Sequence, residues 1–269
     1  MKQLILSAIF LFSIIAHAQT TQGFGYAKRE ALPASYIKML IWNIHAGKDE
    51  GFARDYAELA SGHHLMLLQE ADLTSELRAD LLIHDVRYTH ARSFISPVSG
   101  SDKGVATGSV AKAKITRALR SPVSELGVTT PKVVLLQTFK IENRTKELMV
   151  VNVHAINFVT NEMFRAHIEQ IIKAIRAHQG PVVAAGDFNT WNEGRLKSLD
   201  QMMDAIGLTR VSLGVGRSEF PDLGRWFGVQ TGGAFDQVYA RGINVRFKTV
   251  HADIATSDHR PIELHFSIP

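Results

Sequence analysis

The sequence predicts an α/β domain in which two packed sheets are flanked by helices. Short apolar segments rich in Val, Ile, Leu and Phe recur along the chain, and each ends in polar residues, as buried strands do. Other segments carry apolar residues at helical spacing, and helices mixed with hairpin-like strand pairs are typical of layered architectures. The chain has 269 residues and neither a low-complexity linker nor a repeat, so we expect one domain.

The first 18 residues have the features of a signal peptide. A basic start at Lys2 precedes an apolar run from Leu4 to Ile15, and Ala16-His17-Ala18 supplies the small-x-small pattern of a signal peptidase site. We therefore expect cleavage after Ala18 and a secreted or periplasmic mature protein; the alternative is a buried N-terminal helix. A second long apolar segment is absent from the sequence, so we expect no membrane span in the mature chain.

Composition narrows the class of protein. Hydrophobic residues make up 45% and charged residues 21%, as in folded globular proteins. The chain has no cysteine, which excludes disulfides and thiolate metal sites. The formal charge of +4 falls to +3 when Lys2 leaves with the signal peptide, a mild basic bias that favours a polyanionic partner or merely supports solubility.

A polar lead-in over residues 19–36 precedes a catalytic domain that we place at residues 37–269. The predicted strands are Met39–Trp42, Leu65–Leu68, Val105–Val110, Val133–Ile141, Leu148–Val153, Val182–Ala185, Phe235–Ala240, Val245–Val250 and Ile262–Phe266. Apolar residues at helical spacing predict a helix over Asn161–Ala177, which Gly180-Pro181 ends, and shorter helices over Phe52–Ala60 and Gly194–Ile206.

Polar residues stand where these strands end or begin. They are Asn43, Gln69-Glu70, Asn152 with His154 and Asn157, Asp187 with Asn189, Asp236, and Asp258-His259. Each is a weak signal alone, since Asp and Asn often cap turns and a lone His is usually structural. Together they predict one site at the edge of the packed sheets, where loops on a rigid scaffold carry function.

The residue types suit phosphodiester hydrolysis. Carboxylates and amides without cysteine favour a hard divalent cation such as Mg²⁺. Hydrolysis needs an activated water, charge stabilisation and help for the leaving oxygen, and His, Asp, Asn and a metal provide these. The sequence has no glycine-rich nucleotide loop, serine elbow or His-Glu-x-x-His zinc helix.

The ordered motifs resemble the endonuclease/exonuclease/phosphatase superfamily, which includes deoxyribonucleases of the pancreatic type. They are Trp42-Asn43, Gln69-Glu70, Asn152-Val153-His154, Gly186-Asp187-Phe188-Asn189, Phe235-Asp236 and Ser257-Asp258-His259, and the likeness spans Ile37 to Phe266. As an ordered set these motifs are specific. The resemblance implies a four-layered α/β/β/α sandwich with two mainly antiparallel sheets, and a metal-dependent hydrolase that uses Mg²⁺ or Mn²⁺.

The resemblance also implies roles for individual residues. Glu70 would be the main metal ligand, Asn43 a supporting ligand or phosphate contact, and Asp258 a further acid on the metal side. Asp187 and Asn189 would lie at the scissile phosphate. His259, oriented by Asp236, would face the same phosphate, and either His259 or Asp187 would take the proton of the water. His154 would contact the phosphate or protonate the leaving oxygen. Asn157 is a further candidate phosphate contact, and so is Lys103, which is equally well a solvated loop lysine.

The substrate is less determined than the reaction. A DNA nuclease is the first hypothesis, and a phosphate-tracking surface is expected from a set of basic residues, namely Arg92, Lys103, Lys112, Lys114, Arg117 and Arg120. The alternative is a sphingomyelinase-like or phosphoinositide-directed enzyme, in which the aromatic segment Phe220–Phe227 would reach a lipid surface or simply pack over the site. A binding module that keeps only the fold is a third possibility, which the full set of polar residues disfavours.

Overall fold

The computed structural model describes residues 21–82, 86–125, 130–213 and 235–269. The predicted signal peptide and the aromatic segment at residues 220–227 lie outside these ranges. Within them, no helix is both long enough and apolar enough to cross a membrane.

The strands in the described ranges are β1 (Thr21–Gly25), β2 (Ile37–Asn43), β3 (Leu65–Asp72), β4 (Arg87–Ile95), β5 (Asp102–Ser109), β6 (Ala113–Arg120), β7 (Val133–Phe139), β8 (Leu148–His154), β9 (Val182–Asp187), β10 (Thr209–Arg210), β11 (Asp236–Arg241), β12 (Asn244–Val250) and β13 (Ile262–Ser267). The helices are α1 (Phe52–Ala60), α2 (Ser75–Leu81), α3 (Asn161–Arg176) and α4 (Glu193–Asp204), with a short 3-10 turn at His45–Gly47.

These strands form two sheets. The seven-stranded sheet has the order β1-β4-β5-β3-β2-β13-β12, and the six-stranded sheet has the order β10-β11-β9-β8-β7-β6. Each sheet contains one parallel pair, β2 with β3 and β8 with β9, while the other pairs are antiparallel. A parallel pair needs a crossover, and α1 and α3 lie in these two connections.

Alternation along the strands separates the layers of the seven-stranded sheet. Met39 and Ile41 of β2 point into the core between the two sheets. Leu40 and Trp42 point outward, into a second apolar cluster that includes residues of α1 and α2. The Trp42 ring lies 5.3 Å from the ring of Phe52 in α1, which seats that helix on the outer face.

The six-stranded sheet is layered in the same way. Val183 and Ala185 of β9 point into the core between the sheets, whereas Val182 and Ala184 face α3 and α4. Thr160 caps the start of α3, since its side chain accepts a hydrogen bond from Met163 N. The buried face of α3 carries Phe164, His167, Ile168, Ile171, Ile172 and Ile175. The predicted four-layered α/β/β/α sandwich is confirmed.

The elements predicted from sequence are all present, with shifts of a few residues at their ends. Four strands and one helix were not predicted. β6 is an edge strand with mostly exposed residues, and β4 alternates polar side chains with apolar ones, so neither has an apolar run. β1 lies within the stretch described from sequence as a lead-in; it pairs with β4 at the sheet edge.

A buried amide pair joins the two sheets. Gln69 Nε2 in β3 donates to Asn152 Oδ1 in β8 at 2.7 Å, and both residues are fully buried. The Asn152 amide nitrogen in turn donates to the backbone oxygens of Leu68, at 3.2 Å, and Ala106, at 3.0 Å. Since β3 bulges between Leu68 and Ala71, this side chain supplies a partner at the point where the β3–β5 ladder is interrupted.

Replacing Asn152 by leucine should therefore destabilise the fold. The substitution leaves several buried polar groups without partners, and we expect a loss of about 3 kcal/mol in the free energy of unfolding. Urea denaturation measures this loss. Asn244→Leu, at an exposed position in edge strand β12, is the matched control and should change stability little; equal losses in the two variants would contradict the role of the amide pair.

Candidate functional site

The topology brings the predicted residues to one edge of the sandwich. β2 and β3 are parallel and end together, and so do β8 and β9. The contact between Asn43 and Asp187 joins these two pairs of strand ends across the sheets. Strand β11 is antiparallel to β9, so its first residue, Asp236, pairs with the last residue of β9, Asp187. On the other side of β9, Asp187 pairs with His154. Three predicted site residues, Asp236, Asp187 and His154, therefore lie side by side on the adjacent strands β11, β9 and β8.

Asp187 is the centre of the site. Its Oδ2 atom lies 3.1 Å from Asn43 Nδ2, 3.7 Å from His154 Nε2 and 3.8 Å from His259 Nε2. Its other oxygen, Oδ1, accepts the backbone N–H of Asn189 at 2.9 Å. The carboxylate is thus held from both sides, and groups from both sheets face one oxygen.

Gly186 makes this convergence possible. Its φ of 131° is a conformation that L side chains rarely adopt. A Cβ atom here would lie 2.2 Å from Val153 O and 2.8 Å from Gln69 Nε2. The glycine therefore lets β9 approach both its neighbour β8 and the opposite sheet directly before Asp187.

His259 is held in a fixed orientation. Its Nδ1 atom lies 2.7 Å from Asp236 Oδ2, so the imidazole directs Nε2 toward Asp187. The backbone of His259 is also held: its carbonyl accepts from Trp42 Nε1 at 3.0 Å, and its N–H donates to Ser257 Oγ at 3.2 Å. The predicted pairing of His259 with Asp236 is present in the structure.

The electrostatics of this pair favour a charged imidazole. Burial alone would lower the pKa of His259, but the carboxylates of Asp236, Asp187 and Asp258 outweigh it and raise that pKa. Burial raises the pKa of Asp187, and the negative charge of Asp236 adds to the rise. A cationic donor and a carboxyl group with raised basicity therefore stand side by side.

Glu70 lies on the opposite sheet at the bulge in β3. Its φ is 56°, a left-handed conformation that is uncommon for a non-glycine residue. At this bulge the regular alternation of side chains between the two faces of the sheet is interrupted. Glu70 Oε1 is 3.9 Å from His154 Nε2, and Oε2 is 2.8 Å from Lys103 Nζ. Burial would raise the pKa of Glu70, but cationic groups near it, the ammonium groups of Lys103 and Lys132 among them, hold that pKa below its ordinary value.

The donors around Glu70 fit a hard divalent cation. Burial is the main cause that raises the pKa of Asp258, and the negative charge of Glu70 raises it further. Asp258 therefore lies within electrostatic reach of Glu70. Two carboxylates whose charges act on each other suit a cation bound through oxygen, and the Lys103 ammonium already contacts Glu70. Asn43 contacts Asp187 and His259, and its role as a supporting metal ligand or a phosphate contact stays a prediction.

The two remaining predicted amides have different surroundings. Asn189, with a φ of 53°, donates from Nδ2 to Ala155 O at 2.8 Å and so ties the loop after β9 to the loop after β8. The backbone of Asn157 joins a neighbouring network instead: its N–H donates to Glu125 Oε1 at 2.5 Å, and its carbonyl accepts from Arg195 Nη1 at 2.9 Å. A direct phosphate contact by Asn157 stays a prediction.

Two residues that the sequence analysis did not single out also face the site. Lys132, directly before β7, is 3.6 Å from Glu125 and lowers the pKa of Glu70. His45 Nε2 is 3.9 Å from Asp258 Oδ2, and its φ of 46° is left-handed. The sequence could have indicated His45, because it lies two residues after Asn43, the amide residue that ends β2. Lys132 carried no such indication, because a lysine at a strand start is ordinary.

Comparison with known proteins agrees with this geometry. The model of the Endonuclease/Exonuclease/phosphatase family matches residues 40–259. A UPF0294 protein of Vibrio campbellii is 29% identical over 235 residues, which cover 86% of this chain and 78% of that protein. A UPF0294 protein of Vibrio cholerae serotype O1 is 29% identical over 236 residues, with the same two coverages, 86% and 78%.

Solved structures share the fold. An endonuclease/exonuclease/phosphatase family protein from Leptotrichia buccalis superposes with a TM-score of 0.65 at 16% identity, over 85% of this chain and 98% of its own. D. rerio TDP2, complexed with single strand DNA product, gives a TM-score of 0.61 at 14% identity, over 87% and 99%. The family match runs from β2 through the site histidine His259, and this chain therefore belongs to the Endonuclease/Exonuclease/phosphatase family.

Proposed function

We propose that this protein is a divalent-metal-dependent phosphodiesterase and that DNA is its substrate. The observation that carries the proposal is the position of Asp187. Its Oδ2 atom faces Asn43, His154 and His259, while Glu70 lies beyond His154 on the other sheet. A scissile phosphate at this point would meet hydrogen-bond donors, a basic carboxylate and a metal-binding carboxylate together.

Glu70 and Asp258 would hold Mg²⁺ or Mn²⁺, which supplies charge stabilisation at the phosphoryl oxygens. Asp187, whose pKa burial raises, accepts the proton of the attacking water. His259, held charged by Asp236, donates a hydrogen bond to a non-bridging oxygen. Burial and Lys132 lower the pKa of His154, so this neutral ring donates a hydrogen bond to the leaving oxygen, which takes its proton from water.

An apolar surface beside the site supports a nucleic-acid substrate. Phe158 is 51% exposed and lies on the loop after β8. Trp191 follows Asn189 by two residues and packs on the guanidinium of Arg195, 5.1 Å from the ring centre. Aromatic rings next to a phosphate site can stack on bases of a single strand, and the related fold of D. rerio TDP2 is known with single strand DNA product.

The basic residues named from the sequence give less support than expected. Arg92 is 3.1 Å from Asp102, and Lys103 is 2.8 Å from Glu70. Acidic partners also contact two lysines at the β6 side of the second sheet: Glu30 contacts Lys112, and Glu147 lies 2.5 Å from Lys114. Much of this charge is compensated within the chain, so we place substrate affinity at the site itself.

A lipid-directed phosphodiesterase is the alternative, and its sequence argument rests on residues 220–227, outside the described ranges.

We further propose that the protein acts outside the cytoplasm after cleavage at Ala18. N-terminal sequencing of the exported protein, which should begin at Gln19, tests that step.

Metal removal should abolish activity. With excess EDTA we expect no cleavage of plasmid DNA, and added Mg²⁺ or Mn²⁺ should restore it, because Glu70 would bind the ion through oxygen. Glu70→Gln should lower turnover by at least about 100-fold at unchanged folding. Glu169→Gln, at an exposed position of α3, is the control; full activity in chelator would refute the metal assignment.

His259 and Asp236 should act as one unit. His259→Ala and Asp236→Ala are each expected to lower single-turnover cleavage by about 100- to 10,000-fold, because one loses the imidazole and the other its orientation. The double variant should be little slower than His259→Ala alone. His178→Ala, in the turn after α3, serves as control. Multiplying losses in the double variant would show that the two residues act independently.

Hydrolysis assays run in parallel on supercoiled plasmid, single-stranded DNA, RNA and sphingomyelin identify the substrate class. We expect DNA cleavage, with Phe158→Ala and Trp191→Ala raising KM on single-stranded DNA several-fold at nearly constant kcat, because stacking contributes binding rather than chemistry. Val245→Ala, at a 39% exposed position of edge strand β12, is the comparison. Release of phosphocholine without plasmid nicking would decide for the lipid alternative.

A further inference from the structure

A second cluster of metal-binding side chains lies on the outer face of the seven-stranded sheet. Glu263 and His265 are two residues apart on β13 and so share one face, while their neighbours Ile262 and Leu264 point into the core between the sheets. His63, in the turn after α1, reaches the same place. One nitrogen or oxygen of each of His63, Glu263 and His265 lies within 4.8 Å of the others.

The contacts within this cluster are short and converge on one carboxylate. Glu263 Oε1 is 2.5 Å from His265 Nε2 and 3.2 Å from His63 Nε2. Its other oxygen, Oε2, is 3.1 Å from Nε2 of His251, which follows the neighbouring strand β12. In a tetrahedral zinc site, ligand bonds of about 2.0–2.1 Å place ligand atoms roughly 3.3 Å apart. The 3.2 Å separation between His63 Nε2 and Glu263 Oε1 is of this size. The 2.5 Å contact of His265 Nε2 is that of a hydrogen bond, so a bound ion would replace the shared proton and lengthen this separation.

His63 has hydrogen-bonding capacity that the surrounding protein does not use. The residue is 6% exposed, and neither of its ring nitrogens makes a well-aligned hydrogen bond to a described residue. The 3.2 Å approach to Glu263 is close but not aligned as a hydrogen bond. A buried imidazole without aligned partners costs stability unless something binds its lone pair.

The surrounding residues fix the rings as metal sites usually do. Tyr36 Oη lies 2.5 Å from His265 Nδ1, so this ring can donate Nδ1–H to the tyrosine, and Nε2 can then bind an ion in place of the proton that it shares with Glu263. His251 can donate to the second carboxylate oxygen of Glu263 and hold the group in place. Both contacts are of the kind that orients ligating side chains from outside the ligand set.

We propose that His63, Glu263 and His265 form a site for a zinc-class transition-metal ion, distinct from the catalytic site. Two imidazoles and a carboxylate favour Zn²⁺ over Mg²⁺, whereas the oxygen donors at Glu70 and Asp258 favour the hard cation. A bound ion links the end of α1 to β13.

The two sites are separated in space. His265 pairs with Lys38 of β2, five residues before Asn43, which corresponds to about 16 Å along the strand. Asn43 also belongs to the alternate set of β2 positions, on the side of the sheet that faces the second sheet. An ion on the outer face would therefore stabilise the scaffold and leave the catalytic donors untouched.

The test is zinc titration of the full chain carrying Glu70→Gln, after treatment with EDTA, followed by isothermal calorimetry. This background removes the principal catalytic ligand. We expect one Zn²⁺ per chain, and a loss of affinity of at least about 100-fold when Glu263→Gln or His265→Gln is added. His64→Ala, at the adjacent histidine that accepts a hydrogen bond from Lys38 N, is the control and should bind Zn²⁺ as before.

A second measurement does not depend on whether these variants fold. Zn²⁺ at about 100 times its dissociation constant should raise the Tm of the Glu70→Gln chain by roughly 5 °C, and Mg²⁺ at the same concentration should not. Absence of a zinc-specific shift, or equal affinity in folded Glu263→Gln protein, would overturn the proposal. Either result leaves the proposed DNA hydrolysis standing, because that activity is tested through Mg²⁺ or Mn²⁺ and Glu70.

Discussion

The edge of the sandwich that carries the candidate site depends on the buried contact between Gln69 and Asn152. Their side chains join across the two sheets at 2.7 Å, and Gly186 fits beneath Gln69 because it has no Cβ. Gln69 directly precedes Glu70 in β3, and Gly186 directly precedes Asp187 in β9. Asn152 lies two residues before His154 in β8. The spacing between the two sheets, which this contact sets, therefore sets the spacing of the reactive groups. A buried amide pair is suited to this task, because hydrogen bonds fix both distance and register where apolar packing alone would permit sliding.

The charges at this edge are arranged so that burial is tolerated. A buried carboxylate is costly without a partner, and here each one has partners on its own or the opposite sheet. Asp236 is paired with His259, and Glu70 lies against Lys103 with Lys132 nearby. Asp187 accepts hydrogen bonds from Asn43 and from the backbone of Asn189, yet burial raises its pKa although the charge of His259 opposes the rise. A carboxyl group with a raised pKa thus stands at the centre of the site, where the proposed reaction requires a general base.

The fold and most of the site were accessible from the sequence for a simple reason. A strand buried on both faces is apolar throughout, so a polar residue at its end is conspicuous; Asn43, Glu70, His154 and Asp187 were found in this way. Strands that lack an apolar run were missed, as were residues whose contribution is electrostatic and acts at a distance. Lys132 belongs to the latter group, because its effect on Glu70 arises only when β7 and β3 lie in facing sheets. The hypothesis of a basic surface had the opposite weakness: it counted cations such as Lys114 without their partners, which here include Glu147.

The sequence by itself determined which segments become strands and helices and which chemical groups stand at their ends, because periodicity and strand boundaries are local properties of the chain. Tertiary structure alone decided which of those groups meet. His259 contacts Asp236, which is 23 positions away, and Asn43 contacts Asp187, which is 144 positions away. The same holds for His63 and Glu263, which no spacing rule connects. Such contacts follow from the order and direction of strands within two sheets and from the distance between those sheets, and these are properties of the whole packed chain.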